Sequence, residues 1–219
     1  MKTLVIDVGG THVKVLVSGR RTPIKIPSGS TMTPRAMVDA VRQATADWQY
    51  DRVSIGYPGP VRDGKAAADP WNLGPGWVGF DFAKALGKPV RLMNDAAMQA
   101  LGGYDGGKML FLGLGTGLGT TMIRDGVLIP LELAHLPYKR GGTYEEWVGD
   151  AAFKTMPRRK WRKHVLAIID LFVAALVVDY VVLGGGNARH MKVLPRYVKL
   201  GTNANAFNGG FRLWEQDTN

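Results

Sequence analysis

The sequence predicts an α/β protein built from two halves of similar design. Three observations point there. Residues 2–8 (KTLVIDV) read as a buried strand that turns through Gly9-Gly10 into a second strand at 13–17. About 106 residues later, 108–114 and 120–123 repeat that pattern around a second glycine-rich turn. Around these hairpins, strand-like runs alternate with segments of helical period, the order expected of sheets covered by helices. No long linker separates the halves, so the expected domains are 1–100 and 101–219, with a hinge in 94–105.

The elements follow in order. Residues 22–31 are rich in Pro, Ser and Gly and read as a loop. In 33–48, Ala36, Met37, Ala40, Val41 and Ala44 share one helical face; Thr33 is placed to cap it and Pro34 suits its first turn. A strand at 53–57 ends at Pro58-Gly59-Pro60, and 61–79 reads as a loop carrying Trp71, Asn72 and Trp77. A helix at 80–86, a strand at 90–93 and a helix from 95 to 102 complete the first half. In the second half, 158–176 reads as a helix and 180–183 as a strand entering a triple glycine, with another helix expected at 188–194. Residues 165–183 are apolar and nearly long enough to span a bilayer. Asp170 and Asp179 interrupt them, and a carboxylate at mid-span costs roughly 2.5–3.5 kcal/mol. The segment therefore reads as a buried helix and strand, and no membrane partner is expected.

With 46% hydrophobic and 21% charged residues, the chain has a globular composition rather than a disordered one. Lys and Arg number 28 against 18 Asp and Glu, a formal charge of +10 that favours polyanionic partners. Cysteine is absent, which excludes disulfides, thiol catalysis and cysteine-ligated metals. The strand-like start at Met1 shows no leader, so a cytoplasmic location is expected.

Five motifs can carry chemistry. Asp7-Val-Gly9-Gly10-Thr11-His-Val-Lys14 puts a carboxylate at a strand end, then two glycines whose N–H groups can approach phosphate, then a hydroxyl and a cation. Asp7 can organise Mg²⁺, directly or through water; an ordinary hairpin turn explains the motif equally well. Gly115-Thr116-Gly117, inside Leu112–Thr120, makes a second phosphate cradle or a second plain hairpin. Gly184-Gly185-Gly186-Asn187 follows a buried strand and can receive a nucleotide or distal phosphates, or serve close strand–helix packing. In Asn94-Asp95, Asp95 is a candidate general base, with Asn94 orienting an acceptor; a helix cap is the competing role for Asp95. Glu132 and His135, three apart and followed by Glu145-Glu146, can grip a polyhydroxylated ligand; a structural histidine is the alternative, and further zinc ligands are lacking.

These motifs occur together with Ile55-Gly56-Tyr57-Pro58-Gly59 in an order that resembles the ROK-family sugar kinases, closest to their polyphosphate/ATP glucokinase branch. The resemblance runs from residue 3 to about 213. It implies a two-domain actin-like ATPase (ribonuclease H-like) fold with a central cleft. It implies an enzyme that phosphorylates the 6-hydroxyl of glucose or a related hexose, using Mg²⁺ with ATP or inorganic polyphosphate as donor. By position, Asp95 resembles the catalytic base. Asn72, Asn94, Glu132, His135 and Glu145 resemble sugar contacts, with Glu146 the next choice after Glu145. A homodimer is compatible with the family, and no specific nucleic acid is expected as partner. The family's cysteine zinc cluster has no counterpart here, where Lys139-Arg140-Gly141-Gly142-Thr143-Tyr144 stands in its place. Tyr57 and the Trp71/Trp77 pair are unusual on the acceptor side. They leave open a kinase of another hydroxyl acceptor; a non-catalytic sugar- or nucleotide-binding protein on the same fold is the alternative outside enzymes.

Lys154, Arg158, Arg159, Lys160, Arg162, Lys163 and His164 form the densest charge run. Cations at a helix start oppose the helix dipole. The run reads as a solvated helix start, a track for a polyanionic donor, or a nonspecific nucleic-acid patch.

Overall fold

A computed structural model describes residues 1–202 and 204–215. β1 (Thr3–Val8) and β2 (His12–Val17) form the first expected hairpin, and β3 (Ile24–Pro27) pairs antiparallel with β2. α1 (Pro34–Ala44) follows, capped by Thr33, whose hydroxyl accepts the Ala36 N–H at 3.3 Å. It buries Met37, Val38 and Val41, and ends at Thr45, whose N–H and hydroxyl both donate to the Val41 carbonyl. β4 (Arg52–Tyr57) runs parallel to β1. A small hairpin of β5 (Val61–Arg62) and β6 (Lys65–Ala66) occupies the start of the expected loop. α2 (Phe82–Leu86), capped by Asp81, leads to β7 (Val90–Asn94), parallel to β4. The sheet order is β3-β2-β1-β4-β7.

The second sheet repeats that layout. α3 (Asp95–Gly103) leads into β8 (Lys108–Leu114), which pairs with β9 (Leu118–Arg124), and β10 (Val127–Leu131) extends the edge. Two short helices, α4 (Tyr144–Val148) and α5 (Asp150–Thr155), precede the long α6 (Arg158–Leu176). β11 (Tyr180–Gly184) and β12 (Val198–Leu200) are parallel additions, giving the order β10-β9-β8-β11-β12. The two sheets thus share one plan, an antiparallel three-strand meander followed by parallel strands. α6 buries Trp161, Val165, Ile168, Ile169 and Phe172 against this sheet. Among the described residues, no helix is long and apolar enough to cross a membrane.

The strands missed by sequence reading are β3, β10 and β12, at the edges of the two five-stranded sheets, and the β5–β6 hairpin inside the expected loop. β3, β10 and β12 are short and mostly exposed or half-buried, and β3 and β10 carry Pro27 and Pro130, so no buried run marks them. The helix expected at 188–194 is a single 3₁₀ turn, Ala188–His190. Val193 is β-branched, and Pro195 disfavours a helical Leu194.

The chain packs as two units. Gln99–Asn205 is one; Met1–Met98, joined by the C-terminal segment from Ala206, is the other. The division in the chain falls inside α3, within the window 94–105. The expected second domain, 101–219, differs in its last part, because α7 (Asn205–Arg212) lies against the first sheet. Ala206 and Phe207 pack there with Val5, Leu16 and Met98. Ser54, fully buried on β4, donates to the Gly210 carbonyl at 2.5 Å and accepts from Trp214 Nε1 at 2.8 Å. The Arg52 and Arg91 guanidinium groups lie over the Trp214 ring, and Arg91 donates to the Leu213 carbonyl.

Ser54→Ala removes both partners at once, leaving a buried carbonyl and an indole N–H unmatched. It should cost about 1–3 kcal/mol. Urea denaturation followed by Trp fluorescence should show a lower midpoint; an unchanged midpoint means that α7 is not held through Ser54.

Candidate active site

In the first unit, the candidate residues gather at the C-terminal ends of the parallel strands, where open α/β sheets bind ligands. Asp7 ends β1, largely buried, with Lys14 Nζ 3.2 Å from its Oδ2 across the hairpin. The turn between them closes with the Gly9 N–H donating to the His12 carbonyl at 3.1 Å, and Ser28 Oγ donating to the Gly9 carbonyl at 2.6 Å. Neither Gly9 nor Gly10 has a positive φ. They are needed for close approach: a Cβ on Gly10 would lie 2.9 Å from the Asn72 Cβ. The structure therefore brings Asn72 against the glycine turn. Thr11 is exposed at the tip.

The loop that carries Asn72 is closed by a residue that sequence reading passed over. Asp69 accepts the N–H groups of Gly76, Trp77 and Val78 at 3.1, 2.8 and 3.2 Å, and these bonds hold its carboxyl below the usual range. Trp77 is buried and donates to the Gly74 carbonyl, whereas Trp71 is fully exposed. The signal was an Asp before a dense run of Pro and Gly, a pattern that favours side-chain capping of a turn. Tyr57 lies in the core rather than on a ligand face. Its hydroxyl donates to the Ala68 carbonyl at 2.7 Å, and burial, then Asp69, push it up to about 12.

The roles in Asn94-Asp95 divide differently from the competing expectations. Asn94, not Asp95, takes the helix-capping place. Its Oδ1 accepts the Ala96 and Ala97 N–H groups at 3.0 and 3.1 Å, while its Nδ2 donates to the Gly59 carbonyl at 3.1 Å. Asp95 keeps one oxygen on the Ala96 N–H at 2.8 Å. Gly56 makes room for it: a Cβ there would overlap the end of Met98 and lie 3.7 Å from the Asp95 Cα. Since Gly56 is also the register partner of Asp7, the two carboxylates converge across β4. Burial, then the Asp7 charge, push Asp95 up to about 7, with the Ala96 N–H pulling the other way.

In the second unit, the glycine turn closes with the Gly115 N–H donating to the Gly117 carbonyl at 3.1 Å. Glu145 sits under this turn, where its Oε2 accepts the Leu118 N–H at 3.1 Å, and a Cβ on Gly117 would fall on its carboxylate. Glu146 instead completes the capping box of α4 with Thr143. Thr116 is exposed, and its carbonyl accepts the Asp150 N–H at 3.2 Å. Asp150, also missed, accepts from Asn187 Nδ2 at 3.3 Å and pairs with Lys154 at 2.5 Å; Lys154, then Asn187, hold its carboxyl below the usual range. The Asn187 N–H donates to the Leu114 carbonyl at 2.9 Å, joining the end of β11 to the glycine turn. Gly185 has φ +80° and leaves no room for a Cβ beside the Leu114 carbonyl. Gly184 packs on the Phe111 ring, and Gly186 is open to solvent. Glu132 and His135 are exposed on the segment after β10, which the Ala134 carbonyl ties to Glu145 by accepting its N–H at 3.0 Å. Among the described residues, no three His, Asp or Glu side chains form a metal-holding group.

Residues 3–130 match the family described as the ROK family. An N-acetylmannosamine kinase of Escherichia coli O157:H7 is 33% identical over 145 residues, covering 59% of this chain and 50% of that protein. A polyphosphate glucokinase of Mycobacterium tuberculosis (strain ATCC 25177 / H37Ra) is 28% identical over 214 residues, 84% of this chain and 77% of that protein. The chain thus spans half to three quarters of the relatives it matches. The crystal structure of an inorganic polyphosphate/ATP-glucomannokinase from Arthrobacter sp. strain KM superposes with a TM-score of 0.81 at 22% identity, covering 98% of this chain and 99% of that one. The fold is the two-unit actin-like ATPase fold of these proteins.

The raised Asp95 carboxyl has a stability consequence. Between pH 4 and pH 7 the folded chain holds a proton there that the unfolded chain has lost, so this group's contribution falls as pH rises through that window. Asp95→Asn should therefore raise the melting temperature at pH 8 and change it little at pH 4. Equal shifts at both values overturn the assignment.

Proposed function

The chain belongs to the ROK family, and from that membership we propose that it is a sugar kinase. It transfers a phosphoryl group from ATP or inorganic polyphosphate to a hexose hydroxyl, the 6-hydroxyl of glucose or a related sugar. The observation that carries this reading is the convergence of Asp95 and Asp7 across Gly56, beside a glycine turn packed on Asn72. In this reading Asp95 is the general base for the attacking hydroxyl, and Asn94 fixes it by capping α3 from the preceding residue. Asn72 and Asn94 are the first unit's sugar contacts; for Glu132, His135 and Glu145 of the second unit, the family resemblance alone supports that role. Glu145 takes that role in addition to supporting the Leu118 N–H.

The Gly9, Gly10 and Thr11 turn and the Gly115, Thr116 and Gly117 turn bind phosphate through N–H groups and hydroxyls. Lys14 offsets phosphate charge, and Gly184, Gly185, Gly186 and Asn187 receive the nucleotide or distal phosphates. The donor set suits Mg²⁺: Asp7 beside Asp95 offers hard carboxylate oxygens, and Mg²⁺ typically binds through one or two carboxylates plus waters and phosphates. Bound there, Mg²⁺ would neutralise charge on the transferred group. The relatives' names support both donors and leave two acceptors to compare, glucose and N-acetylmannosamine.

The test is a coupled assay of sugar-phosphate formation, with glucose and N-acetylmannosamine each run against ATP and long-chain polyphosphate. Asp95→Asn should lower kcat by about 10²–10⁴-fold while the sugar's Kd, measured by calorimetry, stays within a few fold. In the wild type, kcat/KM should rise with pH as Asp95 loses its proton near 7, then level. A wild-type rate in Asp95→Asn sinks the base assignment. No turnover on any pair sinks the kinase reading.

A further inference from the structure

The basic run of the second unit is not one patch. α6 begins at Arg158 with Pro157 as its cap residue and no side-chain cap, and Trp161 and Val165 turn inward. The cations therefore split into stripes. On one flank Lys160 lies near His164, which packs on Trp147 and meets the Tyr138 hydroxyl at 3.3 Å. On the other flank Arg158 lies over the Phe153 ring at 3.4 Å, and Arg162 donates to the His190 carbonyl at 2.7 Å. Arg189 joins this second flank, donating to His190 Nε2 at 3.3 Å. Burial, then the charges of Arg189, Arg158 and Arg162, hold the His190 imidazole below its usual range, a sign of how tightly these cations gather.

This second stripe starts at the donor-side turn. Lys154 is tied to Asp150, which bonds to Asn187 and to the Thr116 carbonyl. Segments 154–163 and 189–196 together hold nine Lys and Arg and no Asp or Glu. Asp150, already engaged, is the one acid bonded to the stripe among the described residues. Like charges crowded at a helix start are unfavourable without a counter-charge. An extended polyanion supplies it along the whole row.

We propose that Lys154, Arg158, Arg162 and Arg189 form a track for inorganic polyphosphate, holding the chain beyond its reacting end. The direction of the track rests on reading Gly115–Gly117 as the donor's phosphate turn; the binding itself does not. The ligand is inorganic rather than nucleic acid because the stripe offers no stacking platform: Phe153 and Trp161 are both buried, and Arg158 covers the Phe153 ring.

The experiment compares two double variants of equal charge. Arg158→Gln with Arg189→Gln removes two cations from the track; Lys160→Gln with Lys163→Gln removes two from elsewhere on α6. Binding of long-chain polyphosphate is followed by fluorescence anisotropy from 50 to 300 mM KCl, with turnover measured separately. The track variant should weaken binding at least about tenfold, taking each charged contact as one strong hydrogen bond. Its log Kd against log salt slope should fall by about 1.4, the single-strand value for two phosphate contacts. The other variant should bind within about twofold of wild type. Arg158→Lys with Arg189→Lys should recover most of the affinity, which separates loss of charge from loss of fold. Equal losses in both Gln variants, no loss in either, or no polyphosphate binding by the wild type each overturn the track. Tighter binding of single-stranded DNA than of polyphosphate, abolished by the track variant, overturns the choice of ligand. Polyphosphate binding without turnover on any sugar sinks the kinase reading and leaves the track standing.

Discussion

Asp7 on β1 lies opposite Gly56 on β4, and Gly56 lies opposite Met93 on β7, two residues before Asp95. This register fixes where the first unit's carboxylates stand. It works because the middle position has no side chain: a Cβ at Gly56 would take the space filled by the end of the Met98 side chain. α3 then starts where Asn94 can cap it, so the capping need is met by the residue before Asp95. Asp95 is left with a single backbone bond, in surroundings that favour its protonated form. A buried carboxylate whose proton is held near neutrality, next to a second carboxylate, is the usual physical profile of a reactive group. Here it follows from strand register and one missing side chain.

The second unit uses the same plan to different ends. Its turn after β8 is supported from below by Glu145 and from the side by Asp150, Asn187 and Gly185. The first unit's turn has a lysine in the matching strand, Lys14, and a side chain packed on it, Asn72. Duplicated hairpins have thus been tuned by their neighbours. Beside the first turn stands an ion pair, Lys14 with Asp7, and beside the second stand two carboxylates, Glu145 and Asp150.

Much of this was legible in the sequence, for physical reasons that can be named. Central strands such as β1 and β8 are buried along their length and end at glycines, so composition alone outlines them. α6 is long, and its inward face is marked by Trp161, Val165, Ile168 and Phe172. Edge strands such as β10 were hidden because solvent covers much of them. The roles of Asn94 and Asp95 were hidden because adjacent polar residues compete for one cap, and the winner depends on where the chain bends. Glu145 could be found as a motif residue, but its bond to Leu118 depends on a hairpin 27 positions away. Asp69 stands before a Pro- and Gly-rich run and Asp150 four residues before Lys154, but the partners Trp77 and Asn187 are set by the fold.

The return of α7 to the first sheet gives the two units different histories during synthesis. Gln99–Asn205 is a continuous stretch and can bury its core as soon as it leaves the ribosome. The first sheet, although made earlier, lacks the helix that covers Val5 and Leu16 until residues 205–212 emerge. Ser54 waits 160 positions for Trp214. The usual N-to-C order of domain completion is therefore inverted. A chain stalled or clipped just before residue 206 would present a finished second unit joined to an uncovered apolar sheet, a natural signal for quality control.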